Sequence, residues 1–379
     1  MNFKFFSCSS WLPLIPLVLA PAAWASQSAP SALMTSPAKH ALLLDLSTGS
    51  VLFEKNATQR MHPSSMTKIL TLYLLLETLA QNNIKLTDLI QVSTQASKQT
   101  GSRMFLKPQE NVAVEDILKG ISVLSGNDAC FALAERLAGN EALFADMMNE
   151  KAKELGATDS HFVNASGLSH PNHWSTCWDL ARIGQKTIEN FPKEYAKYYA
   201  IPEFSFNGIT QKNRNGLLKD RFADGLKTGK TDAGKCGIIA SSIRHGRRLM
   251  LVLNGIETEL IREEEARRLL NWGFQFFQPV VFFKKNQKVV DVPLWKGETL
   301  ALIAPQTIGV SLPRRLLQQV KVTIKYPTPL MRPILKGQKV GILSITVPNQ
   351  APMEFPLIAA EEAPETGLFH FIWGKKAKK

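Results

Sequence analysis

An α+β fold is predicted for this chain: an antiparallel sheet with a helical cluster of its own, followed by a small all-β domain. Three observations predict it. Short strand pairs bracket a helical middle, residues 41–45 turning at Ser47-Thr48-Gly49 into 51–54, and residues 237–243 turning at His245-Gly246 into 248–253. The stretch between them carries long runs of helical periodicity, and strands from both ends around a helical middle argue for one sheet with segregated helices. After about Gln278 the pattern changes to short strands separated by Gly and Pro, with 320–326 alternating at period two and 340–347 leading through Pro348-Asn349 into 353–355.

The elements follow in order. Residues 1–25 have one cation, Lys4, then the apolar run Trp11 to Ala20 and a small-residue close at Ala23-Trp24-Ala25, the pattern of a secretory signal peptide that is removed. Two prolines and short length make it a poor membrane span. Residues 26–38 read as a Ser/Ala/Pro linker. Pro63-Ser64-Ser65 starts a helix whose continuation, 69–76, is apolar on nearly all sides, so it is a buried central helix. Residues 114–124 have helical periodicity, and Asn127-Asp128 are placed to cap a further helix ending at Gly139. Residues 264–277 read as an amphipathic helix. The expected domains are thus 39–278 for the main domain, 279–363 for the β-rich domain and 364–379 for a short apolar and basic tail.

Composition bounds the rest. With 379 residues, 45% hydrophobic and 20% charged, the chain is globular and long enough for two domains. Loss of Lys4 with the signal leaves 44 of the 45 Lys and Arg against 32 Asp and Glu, a balance of +12. Such a charge serves solubility or attracts the protein to anionic lipid or an acidic polymer, and no nucleic-acid partner is expected of an exported protein. Cys8 leaves with the signal, and the odd set Cys130, Cys177 and Cys236 makes no full disulfide framework, so stability is expected from the core.

Three short strings carry the chemistry: Ser65-Met66-Thr67-Lys68, Ser125-Gly126-Asn127 and Lys227-Thr228-Gly229. Ser-x-x-Lys and Ser-x-Asn are each expected about once or twice by chance in such a chain, and Ser36-Pro37-Ala38-Lys39 is a decoy in a stretch without helical character. The weight lies in all three in this order. A serine hydroxyl is a weak nucleophile and needs a base within reach. Three positions apart on a helix, Lys68 lies on the face of Ser65, and burial plus the like charge of Lys227 lower its pKa so that it can accept a proton. Backbone N–H groups at the helix start suit an oxyanion, and the N–H of Lys230, just past the unobstructed Gly229, can supply the second donor. A peptide lying along the third motif binds by strand addition, with Lys227 and Thr228 holding a terminal carboxylate. Ser125 can relay a proton to a leaving amine, and Asn127 can hydrogen-bond a substrate amide. His170-Pro171-Asn172-His173 with Cys177 has a zinc-like spacing but sits in a Pro/Asn loop, and no metal or cofactor is expected.

This signature set resembles the penicillin-binding proteins and class A β-lactamases. The chain is most similar to the low-molecular-mass penicillin-binding proteins that are periplasmic D-alanyl-D-alanine carboxypeptidases. The resemblance extends through Met104-Phe105-Leu106-Lys107-Pro108, Ser125 to Cys130, Asn213 to Leu218, Asp224 to Gly229 and Leu269 to Phe274. It implies a β-lactamase/transpeptidase-like catalytic domain and an acyl-enzyme on Ser65 formed from peptidoglycan stem peptides ending in D-Ala-D-Ala. β-lactam antibiotics are then covalent inhibitors. It also implies Lys68 as base, Ser125 and Asn127 as second element, Lys227, Thr228 and Gly229 as binding strand, and Arg214 and Arg262 as carboxylate contacts, against which stands a surface ion pair for either arginine.

The chain departs from the pattern at Lys230, where many relatives have His, and at its end, where relatives carry a longer amphipathic helix. Its aromatic, lysine-ended tail suits attachment to an anionic inner-membrane surface, against which stands a frayed, solvated tail. Two rival readings are a β-lactamase-like hydrolase and a non-catalytic peptidoglycan-binding scaffold. The first lacks Ser-Asp-Asn and a deacylating Glu string here; the second is disfavoured by the presence of both Ser65 and Lys68.

Overall fold

The computed structural model describes residues 5–7, 34–295, 297–348 and 351–365. Of the expected signal segment only Phe5–Ser7 is described, as a short strand parallel to Lys321–Lys325. The rest of that segment and the tail 366–379 lie outside the described residues, and no described helix is long and apolar enough to cross a membrane.

The chain divides into two compact units. Of the described residues, one unit comprises 34–46 and Val51–Gln275; the other holds those from Phe276 onward together with Phe5–Ser7 and Ser47–Ser50. The first unit is built on strands β1 (His40–Asp45) and β2 (Ser50–Lys55) and, late in the chain, β3 (Gly225–Thr231), β4 (Lys235–Arg244) and β5 (Arg247–Ile256). They form an antiparallel sheet in the order β2-β1-β5-β4-β3, with Leu251 opposite Leu43 on one side and Ala240 on the other. β3, which carries the third motif, is therefore an edge strand.

Helices α1 (Lys68–Ala80), α2 (Val114–Ser122), α3 (Asn127–Ala138), α4 (Glu141–Glu154) and α5 (Cys177–Asn190) form the helical part, and α6 (Glu259–Phe276) follows the sheet. The all-round apolar character of α1 has its expected consequence: every residue from Lys68 to Leu76 is buried. Each fully buried Leu or Ile stabilises by about 1.5–3 kcal/mol. The core therefore fixes the head of this helix, where a 3-10 turn, Ser64–Thr67, presents Ser65.

Local chemistry moves some expected boundaries. α6 begins at Glu259 instead of 264 because Thr258 Oγ1 accepts the Ile261 N–H and starts the helix one turn early. It gives way at Phe277 directly to a strand. The end of the expected linker is packed: Ala38 is fully buried, and Ser36 accepts the Ala38 N–H on its side chain and the Lys55 ammonium on its carbonyl.

Among the described residues the second unit is all-β apart from the 3-10 segment Arg314–Gln319. β6 (Phe277–Phe283) pairs with β9 (Ile308–Pro313), while β7 (Lys288–Pro293), β8 (Thr299–Ile303), β12 (Met353–Ala359), β11 (Lys339–Thr346) and β10 (Lys321–Lys325) form a second sheet in that spatial order. Inward residues such as Val292, Leu302, Val310, Leu343, Ile345 and Leu357 make one apolar core.

Candidate active site

The three motifs converge. A cleft in the first unit is lined by Ser65, Ser125, Arg214, Thr228, Gly229, Lys230 and Arg262, all predicted from the sequence, together with Ser102 and Glu259, which were not. Lys68, Asn127 and Lys227 do not line it; they are buried around it.

Lys68 Nζ lies 3.1 Å from Ser65 Oγ, 2.8 Å from Asn127 Oδ1 and 2.6 Å from the Ser166 carbonyl oxygen. An ammonium satisfies all three acceptors. A neutral amine has two N–H groups, which Asn127 and Ser166 absorb, leaving its lone pair for the Ser65 O–H. Burial pushes Lys68 down to about 8, with Cys130, Asp128 and Glu141 opposing and Arg214 assisting. Repulsion between cations acts on both partners, so Arg214 and the expected Lys227 both favour the neutral form of Lys68. Lys227 is itself held well below its ordinary value first by burial and next by the charge of Lys68. Its Nζ donates to the Thr228 carbonyl at 3.3 Å.

Asn127 neither caps its helix nor presents a free amide. Gly126 occupies the cap position, and the Asn127 side chain is engaged at both ends, Oδ1 by Lys68 and Nδ2 by the Thr100 carbonyl at 2.6 Å. The reason is burial: an amide enclosed beside an ammonium takes the charged partner. Its neighbour Asp128, fully buried, accepts the N–H groups of Met104, Leu106 and Ala129 and so pins the segment that carries Ser102. Ser125 sits between α2 and α3 at φ 61°, and its Oγ is buried without a partner among the described residues, beside a cleft whose ligand can supply one.

Close backbone approach sets the spacing of nucleophile and strand. A Cβ on Gly229 would meet the Pro63 carbonyl oxygen at 2.9 Å and Ser64 Cβ at 3.0 Å, so β3 can lie against the nucleophile turn only with glycine there. Gly167 is tighter still: at φ +79° its Cβ would fall 1.9 Å from the Ser64 carbonyl oxygen.

Arg262 is not a surface residue. Only 1% exposed, it donates to the Arg214 carbonyl at 3.1 Å and to Glu263 Oε1 at 3.2 Å. Lys230 Nζ donates to Glu259 Oε1 at 3.0 Å, and both residues line the cleft. His173 accepts the Val163 N–H on Nδ1, so its Nε2 carries the hydrogen and donates to Thr67 Oγ1 at 2.9 Å, beneath the nucleophile turn. Cys130 is buried and its thiol is pushed up to about 12 by burial, which makes it an inert packing group. Of the residues that sequence reasoning missed, Ser102 lies two positions before the quoted Met104-Phe105-Leu106 string, and Glu259 had no motif to mark it.

A family model described as D-alanyl-D-alanine carboxypeptidase matches residues 25–258, and one described as Penicillin-binding protein 5, C-terminal domain matches residues 277–365. The D-alanyl-D-alanine carboxypeptidase DacC of Escherichia coli (strain K12) is 37% identical over 367 residues, 94% of this chain and 91% of that protein. The crystal structure of penicillin binding protein 5 from Haemophilus influenzae superposes with a TM-score of 0.82 at 31% identity, covering 88% of this chain and 99% of that one. Penicillin-Binding Protein D2 from Listeria monocytogenes, in a cefotaxime-bound form, matches 64% of this chain and 99% of its own with a TM-score of 0.59 at 28% identity. With Ser65, Lys68 and the Lys227 strand gathered at one cleft, and relatives matched over nearly their whole length, the chain belongs to the D-alanyl-D-alanine carboxypeptidase family.

Proposed function

We propose that this chain is a serine-type D-Ala-D-Ala carboxypeptidase that releases the terminal D-alanine from peptidoglycan stem peptides through an acyl-enzyme on Ser65. The observation that carries the reading is the 3.1 Å approach of Lys68 Nζ to Ser65 Oγ, with Lys68 lowered to about 8. Neutral Lys68 takes the hydroxyl proton as Ser65 Oγ attacks the penultimate D-Ala carbonyl, and the tetrahedral oxyanion is held by the backbone N–H groups of Ser65 and Lys230. The proton passes through Ser125 to the departing amine, the C–N bond breaks and D-alanine leaves. Water then attacks the ester, returning the proton to Ser65 by the reverse relay. Asn127 orients Lys68; Thr228 and Gly229 align the peptide on the edge strand, with Lys227 behind them. Arg214 and Arg262 provide the cationic field for the substrate's terminal carboxylate. The same serine takes up β-lactams, a reading supported by the cefotaxime-bound relative.

The division of the chain proposed to serve this activity is an exported precursor with a signal at 1–25, a linker at 26–38 shortened by its packed end, a catalytic domain at 39–278, a β domain at 279–363 and a tail at 364–379. That places the protein in the periplasm, with the tail resting on the outer face of the inner membrane. Intact mass after incubation with benzylpenicillin, followed by peptide mapping and a Ser65→Ala control, tests the core of the reading. The expected adduct maps to Ser65 and is missing in the control; a folded wild-type protein that takes up no adduct and releases no D-alanine overturns it.

A further inference from the structure

We propose that Glu259 sets the affinity of the cleft for a substrate's terminal carboxylate, and that the side chain of Lys230 acts on binding by holding Glu259 aside, not by touching the substrate. The inference rests on the carboxypeptidase reading and adds a specificity-determining pair to it. Glu259 is the one acidic residue among those lining the cleft, and it faces Arg214, Arg262 and Lys230 there. It is held below the ordinary carboxylate range by its bond to Lys230, with the charges of Arg262 and Arg214 acting in the same direction. Lys230 is raised by the same bond.

The side chains of Lys230 and Glu259 are 62% and 47% exposed, so their pair adds little to stability. Its effect is on the field of the cleft. A carboxylate entering to meet Arg214 and Arg262 meets Glu259 as a like charge, and a Glu259 released from Lys230 competes for the same guanidinium groups. Arg262 is already shared with Glu263, which leaves the cationic surplus small and sensitive to one more anion.

The test is chemical-shift titration of a Ser65→Ala protein, which cannot consume its ligand, with an N-acetylated peptide ending in D-Ala-D-Ala and with its C-terminal amide. Glu259→Gln is expected to tighten the carboxylate peptide roughly two- to fivefold, the range of one exposed charge, and to lose that gain at high salt. Lys230→Ala weakens it by a similar factor, Lys230→Arg does not, and the double variant Lys230→Ala/Glu259→Gln shows no weakening. The amide peptide is indifferent to all four. Weakening by Lys230→Ala that persists without Glu259 means that Lys230 contacts the ligand itself and overturns the proposal, as do equal effects on the amide or no binding by any variant. D-alanine release by the Ser65 protein is read separately, so failure of the carboxypeptidase reading is distinguishable from failure of this one.

Discussion

Lys68 Nζ and Asn127 Oδ1 are 2.8 Å apart, a buried pair that joins the head of α1 to the first turn of α3 behind the cleft. The bond makes Asn127 a holder of the base. Replacing Asn127 by Leu removes one of the two acceptors that occupy the N–H groups of the neutral amine. The expected result is a fall in benzylpenicillin acylation of about 10- to 100-fold, the range of a misoriented general base, with little change in binding of the peptide by a Ser65→Ala, Asn127→Leu protein. A loss confined to binding would instead make Asn127 a substrate contact.

Lys68 as base fixes the sign of the pH dependence. The neutral form is required, and its fraction rises as pH rises through about 8. Second-order acylation rates are expected to climb about tenfold per pH unit below that value and to level off above it. A profile flat from pH 6 to 9 is incompatible with the assignment. Lys68→Met is expected to remove acylation while leaving the fold intact, since it removes a buried charge and keeps the apolar stem.

His173 makes the unit acid-labile in a defined window. Burial first, and then the neighbouring charges of His161, His62 and His170, push it from 6.5 down to about 3. The unfolded chain therefore binds more protons between these values, and stability is lost as pH falls from about 6.5 toward 3. Protonation at Nδ1 also forfeits the Val163 N–H bond. Thermal melts from pH 7 to 4 should show a steeper decline for the wild type than for His173→Gln; parallel curves would remove His173 as the cause.

Gly167→Ala and Gly229→Ala should separate two kinds of damage. At Gly167 the added Cβ meets backbone at φ +79°, with no room to relax, so a stability loss above about 1 kcal/mol is expected with loss of acylation. At Gly229 the contact is 2.9 Å and β3 can shift outward. There the melting temperature should fall less and acylation by tenfold or more, read by melting curves and penicillin uptake on the same samples.

Much of the site was legible because its elements are local. Ser65 and Lys68 lie one helical turn apart, the strand pairs carry turn signals, and the apolar run 69–76 can only be a buried helix. What escaped depends on how loops cross. Nothing in the neighbourhood of Glu259 announces that it will face Arg214, and Asp128 looks like a helix cap until the segment at Met104 and Leu106 is seen to need its carboxylate. Asn127 misled for the same reason: cap preference is a statement about an isolated helix end, and a buried ammonium outweighs it. The start of α6 was missed because Thr258 is an ordinary cap hidden before a run of charges.

Among the described residues β3 has one hydrogen-bonded neighbour, β4, and at Gly229 one of its faces lies against the turn that carries Ser65. A strand paired on a single side opens more readily than the centre of its sheet. When β3 lifts, the nucleophile turn loses its support and the oxyanion donor at Lys230 moves with the strand. The expected consequence is a route to inactivation that leaves the core standing: on warming, penicillin uptake should disappear below the global melting temperature, in step with amide exchange along residues 225–231.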